Sequence, residues 1–337
     1  MSRIGCCILW PAMFGDCVLA SRGLSVLNKQ GYEIYCACPG NDRAYIRDIF
    51  LLNKSIKETY PVELGIPPIS HPWAAGKIIN NQKPLALEWL VSKEITKYIS
   101  DFSTGFDRLD TIIPVVHMEL SKLARDVDIE PLSVDSSVPY PKGNYMVWHA
   151  RTKEWSKDYD KYNDTFEGSP NHNSDEGWEP ERHVNKATYF RIAEYCKEEY
   201  NLDAYQIDDP LISIPEQVAL LKHCKFFLGC ESGPQHLAGF CGVPVIQANL
   251  THPWPSTISI NNHTLSLYKH VSVNGKILNV HAGPKFGGHR LYDDPARNMF
   301  VIDNTEDELR SAVDRMMNLL ARNELPQNIE IIDTEVN

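Results

Sequence analysis

No apolar run in this sequence approaches the ~20 residues that a helix needs to cross a bilayer. The one leader-like stretch, residues 4–20 behind Arg3, is broken by Pro11 and Asp16 and reads instead as strand, turn and helix. A basic surplus is also missing: 33 Lys and Arg face 44 Asp and Glu, a net charge of −11. That balance argues against a nucleic-acid partner and against broad docking on anionic lipid, while leaving room for a small anion held locally. Nine cysteines are present without a single C-x-x-C pair, so neither zinc binding nor thioredoxin-type chemistry is indicated. Cys6-Cys7 and Cys36-Ala-Cys38 sit in apolar runs, where free thiols behave as small hydrophobes, and a reducing cytoplasm is the expected setting. The glycine-rich residues 281–289 lack phosphate-loop spacing, and no D-x-D ends an expected strand. His, Asp and Glu do not cluster as metal ligands, so neither a metal nor an organic cofactor is expected. The sequons at Asn53, Asn163, Asn249 and Asn262 are read as chance.

What the chain does have is length and alternation. Its 337 residues exceed the ~100–200 of an ordinary single domain. Residues 4–10 form a continuous apolar run suited to a parallel strand covered on both faces. A turn, a helix over 15–30, a strand over 33–38 and a helix over 43–52 follow. Residues 61–83, rich in Pro and Gly, are expected as loop, 85–99 as an amphipathic helix and 111–116 as a strand. Val138-Pro-Tyr-Pro-Lys-Gly-Asn144 has the composition of a linker. Beyond it the alternation resumes with a strand over 145–150, a polar insertion over 153–184, a helix over 186–200 and a strand over 204–207. A helix over 214–224 carries Pro215 in its first turn. Then come a strand over 225–230, a short helix over 233–241 and a strand over 244–248. A second irregular stretch, 251–297, precedes a strand at 299–302, and Thr305-Glu-Asp-Glu308 has capping-box spacing for a last helix reaching about 322. This order predicts two similar α/β halves with parallel sheets.

The richest segment runs from Phe226 to Ile246. A buried strand ends at Cys230, and Glu231-Ser-Gly-Pro234 opens straight into a helix. The unbonded amides and dipole at such a helix start favour a phosphate. Gly233 admits a close approach and Ser232 supplies a hydroxyl, whereas anionic Glu231 suits sugar or ribose hydroxyls better than phosphates. Physically, an ordinary strand-turn-helix with a capping serine fits the same residues.

The run Glu231-Ser-Gly-Pro-Gln-His-Leu-Ala238, followed by Gly242-Val-Pro244 and an apolar strand, resembles the donor-binding signature of heptosyltransferase-like GT-B glycosyltransferases, the family 9 type. That signature usually has Asp, then Ser or Thr, then Gly, before a His-Leu-Ala run and a Gly-x-Pro. Residues 209–221 resemble the helix that precedes it, and Gly15-Asp16 resembles the Gly-Asp opening the first helix. The match is strong over about residues 4–39 and 211–249; Glu231 in place of Asp keeps the charge but lengthens the reach. The resemblance implies an α/β, GT-B fold of two Rossmann-like domains facing a cleft. The acceptor-side domain would cover 1–140 and the nucleotide-sugar domain 145–322, with a last helix able to pack back on the first domain and a tail over 323–337. It implies metal-independent, inverting transfer of a sugar from a nucleotide-sugar to a hydroxyl of a glycan or lipid-linked acceptor, with peripheral membrane contact through the acceptor.

Under this resemblance Asp16 is the candidate base, beside Gly15 on the acceptor side, although an acid there also stabilises a first helical turn. Glu231, Ser232, Gly233, Pro234, Gln235 and His236 form the donor-binding segment, and His236 equally suits packing against a neighbouring strand. Trp148-His-Ala-Arg-Thr-Lys153 ends the first strand of the second half, which sets Arg151 where a guanidinium can grip two phosphate oxygens. It is also similar to the His-x-Arg of fucosyltransferase-type GT-B enzymes. Lys153 is a second cation there, and His149 alternates with Arg151 along the strand. His172 in the polar insertion and Lys285 in the glycine-rich stretch are loop candidates for acceptor or donor contact. Two other readings keep the same residues: a GT-B-like nucleotide-sugar epimerase, and a non-catalytic nucleotide-sugar or glycan-binding protein.

Overall fold

The computed structural model describes residues 2–7, 14–41, 44–63, 85–86, 88–95, 97–100, 110–114, 129–152, 182–207, 212–251, 263–278, 293–326 and 328–331. They separate into two compact units: one reaches Val138 and includes Ser213–Pro215, and the other takes the remaining described residues from Pro139 onward.

The first unit contains β1 (Ser2–Cys7), α1 (Phe14–Lys29), β2 (Tyr32–Pro39), α2 (Ala44–Leu51), β3 (Ile56–Val62), β4 (Lys97–Ser100) and β5 (Asp110–Pro114). Its five strands form a parallel sheet in the order β3-β2-β1-β4-β5. The chain steps outward from β1 to β3, then restarts on the other side of β1. The carboxyl end of β1 is therefore a switch point, where open α/β sheets place ligands. Side chains from Cys17 to Leu27 are buried on every face of α1, polar ones included. Ser25 donates to Asn53 Oδ1 at 3.1 Å, and Asn53 Nδ2 donates to the Ser21 carbonyl at 2.8 Å, so this sequon asparagine is an internal strut.

Residues 61–83 were expected as loop, yet Pro61 and Val62 end β3, a strand of polar sequence at a sheet edge, where Lys57 and Glu58 face water and Pro61 needs no ladder bond on its outer side. The helix expected over 85–99 ends at Ser92; Glu94 turns through φ 59° and Lys97–Ser100 joins the sheet as β4. The turn packs tightly on β1, since a Cβ on Gly5 would lie 2.7 Å from Ile95.

The second unit runs β6 (Tyr145–His149), α3 (Lys186–Tyr200), β7 (Asp203–Gln206), α4 (Ile214–His223), β8 (Phe227–Gly229), α5 (Gly233–Phe240), β9 (Val245–Leu250), β10 (His263–Tyr268), β11 (His270–Val273), β12 (Lys276–Leu278), β13 (Met299–Ile302), α6 (Glu306–Ala321) and β14 (Asn328–Ile331). Six strands make a parallel sheet in the order β14-β10-β9-β8-β6-β7, and β12-β11-β13 form a small antiparallel sheet. Met146, Trp148, Leu228, Ile246 and Leu265 from the large sheet pack with Ile192 of α3 and Leu309, Val313 and Met316 of α6. Each such burial is worth about 1.5–3 kcal/mol relative to exposure. The apolar stripe of the last helix thus lies in the core of the second unit.

Two stretches of this half hold more structure than their composition suggests. Residues 251–297 were expected to be irregular, yet they contain β10, β11 and β12. The His, Thr, Ser and Lys residues of these strands obscure a β pattern that neighbouring strands complete. Asn328–Ile331, within the expected tail, adds β14 to the edge beside β10. All nine cysteines are free thiols, eight of them buried.

Candidate functional site

The structure places β6 beside β8, with His149 in register with Gly229. The chain lays β7 on one side of β6 and then β8 on the other, so the carboxyl ends of β6 and β8 flank the switch point of this sheet. Residues 149–151 leave β6 there, and residues 229–236 leave β8. Gly229 is required by packing: a Cβ would sit 2.4 Å from the ring of fully buried Phe227.

The two strand ends are linked by the Arg151 amide, which donates to Cys230 Sγ at 3.1 Å. Burial pushes the Cys230 thiol up, while the charges of Arg151, Arg182 and Lys269 pull in the opposite direction. Three cations therefore gather around the end of β8. Lys269 is ion-paired with Asp303 at 2.7 Å and donates to the His183 carbonyl at 2.6 Å. Arg182 donates to the Glu231 carbonyl at 2.7 Å, and its Nε lies 3.8 Å from the Glu231 carboxylate. The Thr251 hydroxyl donates to the other oxygen of that carboxylate at 3.1 Å. Burial, then the nearby Glu231 charge, pushes the Tyr268 hydroxyl up to about 12. Glu231 is 4% exposed, so these partners rather than solvent hold its carboxylate.

The start of α5 is built to stay open. Ser232 is extended (φ −161°, ψ 166°), and its hydroxyl donates backward to the Cys230 carbonyl at 3.0 Å instead of capping the helix. Pro234 brings no N–H, so the uncapped first-turn donors are the amides of Gly233 and Gln235. Their partial positive charge and the helix dipole add to the three cations.

Among the residues expected to act, Arg151, Glu231, Ser232, Gly233 and His149 come together at this switch point. Gln235 is 1% exposed and accepts from Gln247 of β9 at 3.0 Å, and His236 is buried on α5. Gly15 and Asp16 are the second and third residues of α1 in the first unit. The Asp16 side chain, Lys153, His172 and Lys285 lie outside the described residues. Arg182, Lys269 and Thr251 were missed. Arg182 lies near the end of the polar insertion, whose place after a strand was the available signal, while Lys269 and Thr251 sit in residues taken as irregular. Among the described residues no three His, Cys, Asp or Glu side chains come together as metal ligands, and no helix is long and apolar enough to cross a membrane.

The sequence matches no family model and no curated protein. Solved structures do match its fold. ADP-heptose lipopolysaccharide heptosyltransferase II of E. coli aligns with 96% of this chain and 100% of its own length, with 11% identity and a TM-score of 0.55. A glycosyltransferase family 9 protein of Veillonella parvula aligns with 94% of this chain and 97% of its own length, at 12% identity and TM-score 0.52. E. coli heptosyltransferase WaaC with ADP aligns with 93% and 99%, at 12% identity and TM-score 0.50.

The fold is GT-B.

At such identities the likeness is one of fold, and the residues above must carry any chemistry. In this GT-B chain they make a cationic, amide-lined strand end in the second unit.

Proposed function

We propose that this chain is a glycosyltransferase that moves a sugar from a nucleotide-sugar to a hydroxyl of a glycan or lipid-linked acceptor, without a metal and with inversion. The observation that carries this reading is the uncapped start of α5 beside Arg151 and Arg182 at the β6/β8 switch point. Amides, helix dipole and guanidinium groups together suit a diphosphate. They are also what a departing diphosphate needs, because its charge grows as the bond to the anomeric carbon breaks.

In the proposed reaction the acceptor oxygen bonds to the anomeric carbon, the bond to the diphosphate breaks, and the acceptor proton passes to the Asp16 carboxylate. Glu231, held by Thr251 and Arg182, fixes the turn that opens α5. The structural likeness to heptosyltransferases, one of them solved with ADP, supports a nucleoside diphosphate as the leaving group.

Thermal unfolding of the full chain with a panel of nucleoside diphosphates and nucleotide-sugars tests this reading. At least one is expected to raise Tm, since a ligand of the native state stabilises it by mass action. A flat response to the whole panel sinks the proposal. With the active donor, Asp16→Ala is expected to keep the Tm shift and lose transfer by about 10²–10⁴-fold, the usual contribution of a general base. Normal turnover in that variant removes Asp16 as the base. Conversion of the donor into an isomer of equal mass with no acceptor would replace transfer by epimerisation.

A further inference from the structure

The cations at the end of β8 are not alike. Lys269 is 4% exposed, and its ammonium is engaged within the protein, by Asp303 at 2.7 Å and by the His183 carbonyl at 2.6 Å. The other oxygen of Asp303 accepts from the Asn185 amide at 2.9 Å. A buried ion pair of this kind adds little stability over an apolar side chain of similar volume, because desolvation offsets the attraction. Its role here lies in what it holds.

That is the short run 182–185, which leads into α3 with Asn185 as its N-cap. Its residues are tied one after another. Arg182 donates to the Glu231 carbonyl at 2.7 Å, and the His183 carbonyl accepts from Lys269. The Val184 amide donates to the Arg151 carbonyl at 2.9 Å, and the Asn185 amide donates to Asp303. Lys269 and Asp303 therefore grip the backbone on either side of Val184, one residue beyond Arg182. The grip is itself anchored to the end of β9. The Lys269 amide donates to the Leu250 carbonyl at 3.0 Å. Asn304, next to Asp303, donates its amide to Asn249 Oδ1 at 2.6 Å and accepts the Asn249 amide at 2.7 Å.

We propose that Lys269, paired with Asp303, is a positioning residue for the diphosphate, holding residues 183–185 so that Arg182 stays on the turn between β8 and α5. The ammonium acts through Arg182, because its own contacts are with Asp303 and the His183 carbonyl. A guanidinium grips phosphate oxygens well only when its fork is held in place. The inference rests on the transferase reading for its ligand and on these tethers for its geometry.

The test is a double-mutant cycle on the full chain, read by calorimetry with ADP, GDP and UDP. Lys269→Met is expected to weaken the nucleoside diphosphate that the wild type binds by about tenfold or more, the loss typical when a group that orients a binding side chain is removed. In an Arg182→Met background the same change should cost less than about twofold, because the residue it acts through is already gone. Losses that multiply in the double variant overturn the proposal, since Lys269 would then act on the ligand by itself. A Lys269→Met chain whose Tm falls while its affinity stays that of the wild type has a merely structural lysine, and overturns it too. Hydrogen exchange on the ligand-free chain reads the grip directly. The amides of Val184 and Asn185 should exchange at least about tenfold faster in Lys269→Met, with those of β9 unchanged. Unchanged exchange at both amides overturns the proposal. If Lys269→Met does not fold, Lys269→Gln, which keeps a donor for the His183 carbonyl but loses the ion pair, is expected to weaken binding severalfold, and unchanged affinity there overturns the proposal. A wild type that binds none of the three nucleotides sinks the transferase reading and this inference with it. Normal wild-type binding without loss in the Lys269 variants sinks this inference alone.

Discussion

Two helices of the second unit begin with a hydroxyl residue in extended conformation, and the hydroxyls do opposite things. Thr305 accepts from the Glu308 amide at 3.3 Å, while the Glu308 carboxylate accepts from the Thr305 amide at 2.7 Å, so the start of α6 is closed by its own side chains. Glu308 also lies 2.8 Å from the ring Nε2 of buried His270, which ties this closed end to β11. Ser232, at the start of α5, turns its hydroxyl back to the Cys230 carbonyl and leaves the helix uncapped. The charges follow the same division. Glu306, Asp307 and Glu308 fill the first turn of α6, where they satisfy the dipole, whereas α5 has no acid in its first turn and cations nearby. A helix start that serves stability consumes its own amides. One that serves a ligand leaves them open.

The largest effect that would sharpen this contrast is on binding at the open end. Arg151→Met is expected to weaken nucleoside diphosphate affinity about 10–100-fold, as for one hydrogen-bonded charge of about 1.5–3 kcal/mol. Calorimetry should show unchanged affinity in Thr305→Ala. If both variants bind alike, the open start of α5 is not the phosphate site.

Stability should rank the two hydroxyls the other way. Thr305→Ala removes a cap and is expected to cost about 1 kcal/mol in denaturant unfolding. Ser232→Ala, which removes no cap, should cost less than half of that in the same experiment. Equal losses would mean that Ser232 caps α5 in solution.

The smallest effect concerns pH. Hydrogen bonds from Arg191, and then from Arg310, hold the Glu306 carboxyl below its usual range against a smaller opposing effect of desolvation. Because the folded-state value is the lower one, the contribution of Glu306 is present above the ordinary carboxylate range and fades as the pH falls through the folded value. The Tm difference between wild type and Glu306→Gln should therefore shrink on acidification. A difference that grows instead would show that the two arginines do not hold this carboxylate.

Much of the fold was legible in the residues because its signals are local. Lys186–Tyr200 and Glu306–Ala321 are helices where periodicity and caps place them. The buried runs around Cys36, Val147 and Ile246 are strands, as continuous apolar segments require. Strands that borrow their stability were not legible. β3, β10, β11 and β14 carry Lys, Glu, His, Ser or Asn and become strands only because a neighbouring strand pairs with them. β4 reads as the end of a helix until β1 and β5 pair with it. The sequon Asn249 is likewise a buried link, donating to the Tyr189 hydroxyl at 3.2 Å and accepting from the Asn304 amide at 2.6 Å.

The site divides along the same line. Glycine, proline and serine at 232–234 announce a strand-to-helix turn in the sequence, since the backbone there allows few alternatives. Arg151 is legible as the end of a strand. That Arg151, Arg182 and Lys269 converge on one strand end depends on the order β9-β8-β6-β7, and strand order is set by non-local pairing and core packing. The same holds for Arg22, whose charge is plain in the sequence but whose burial arises only when α1 is covered on every face. The residues and their local geometry were therefore set by the chain itself. Their charges acquired neighbours, or lost them, only on folding, because burial and proximity between distant residues are properties of the packed sheet and helices.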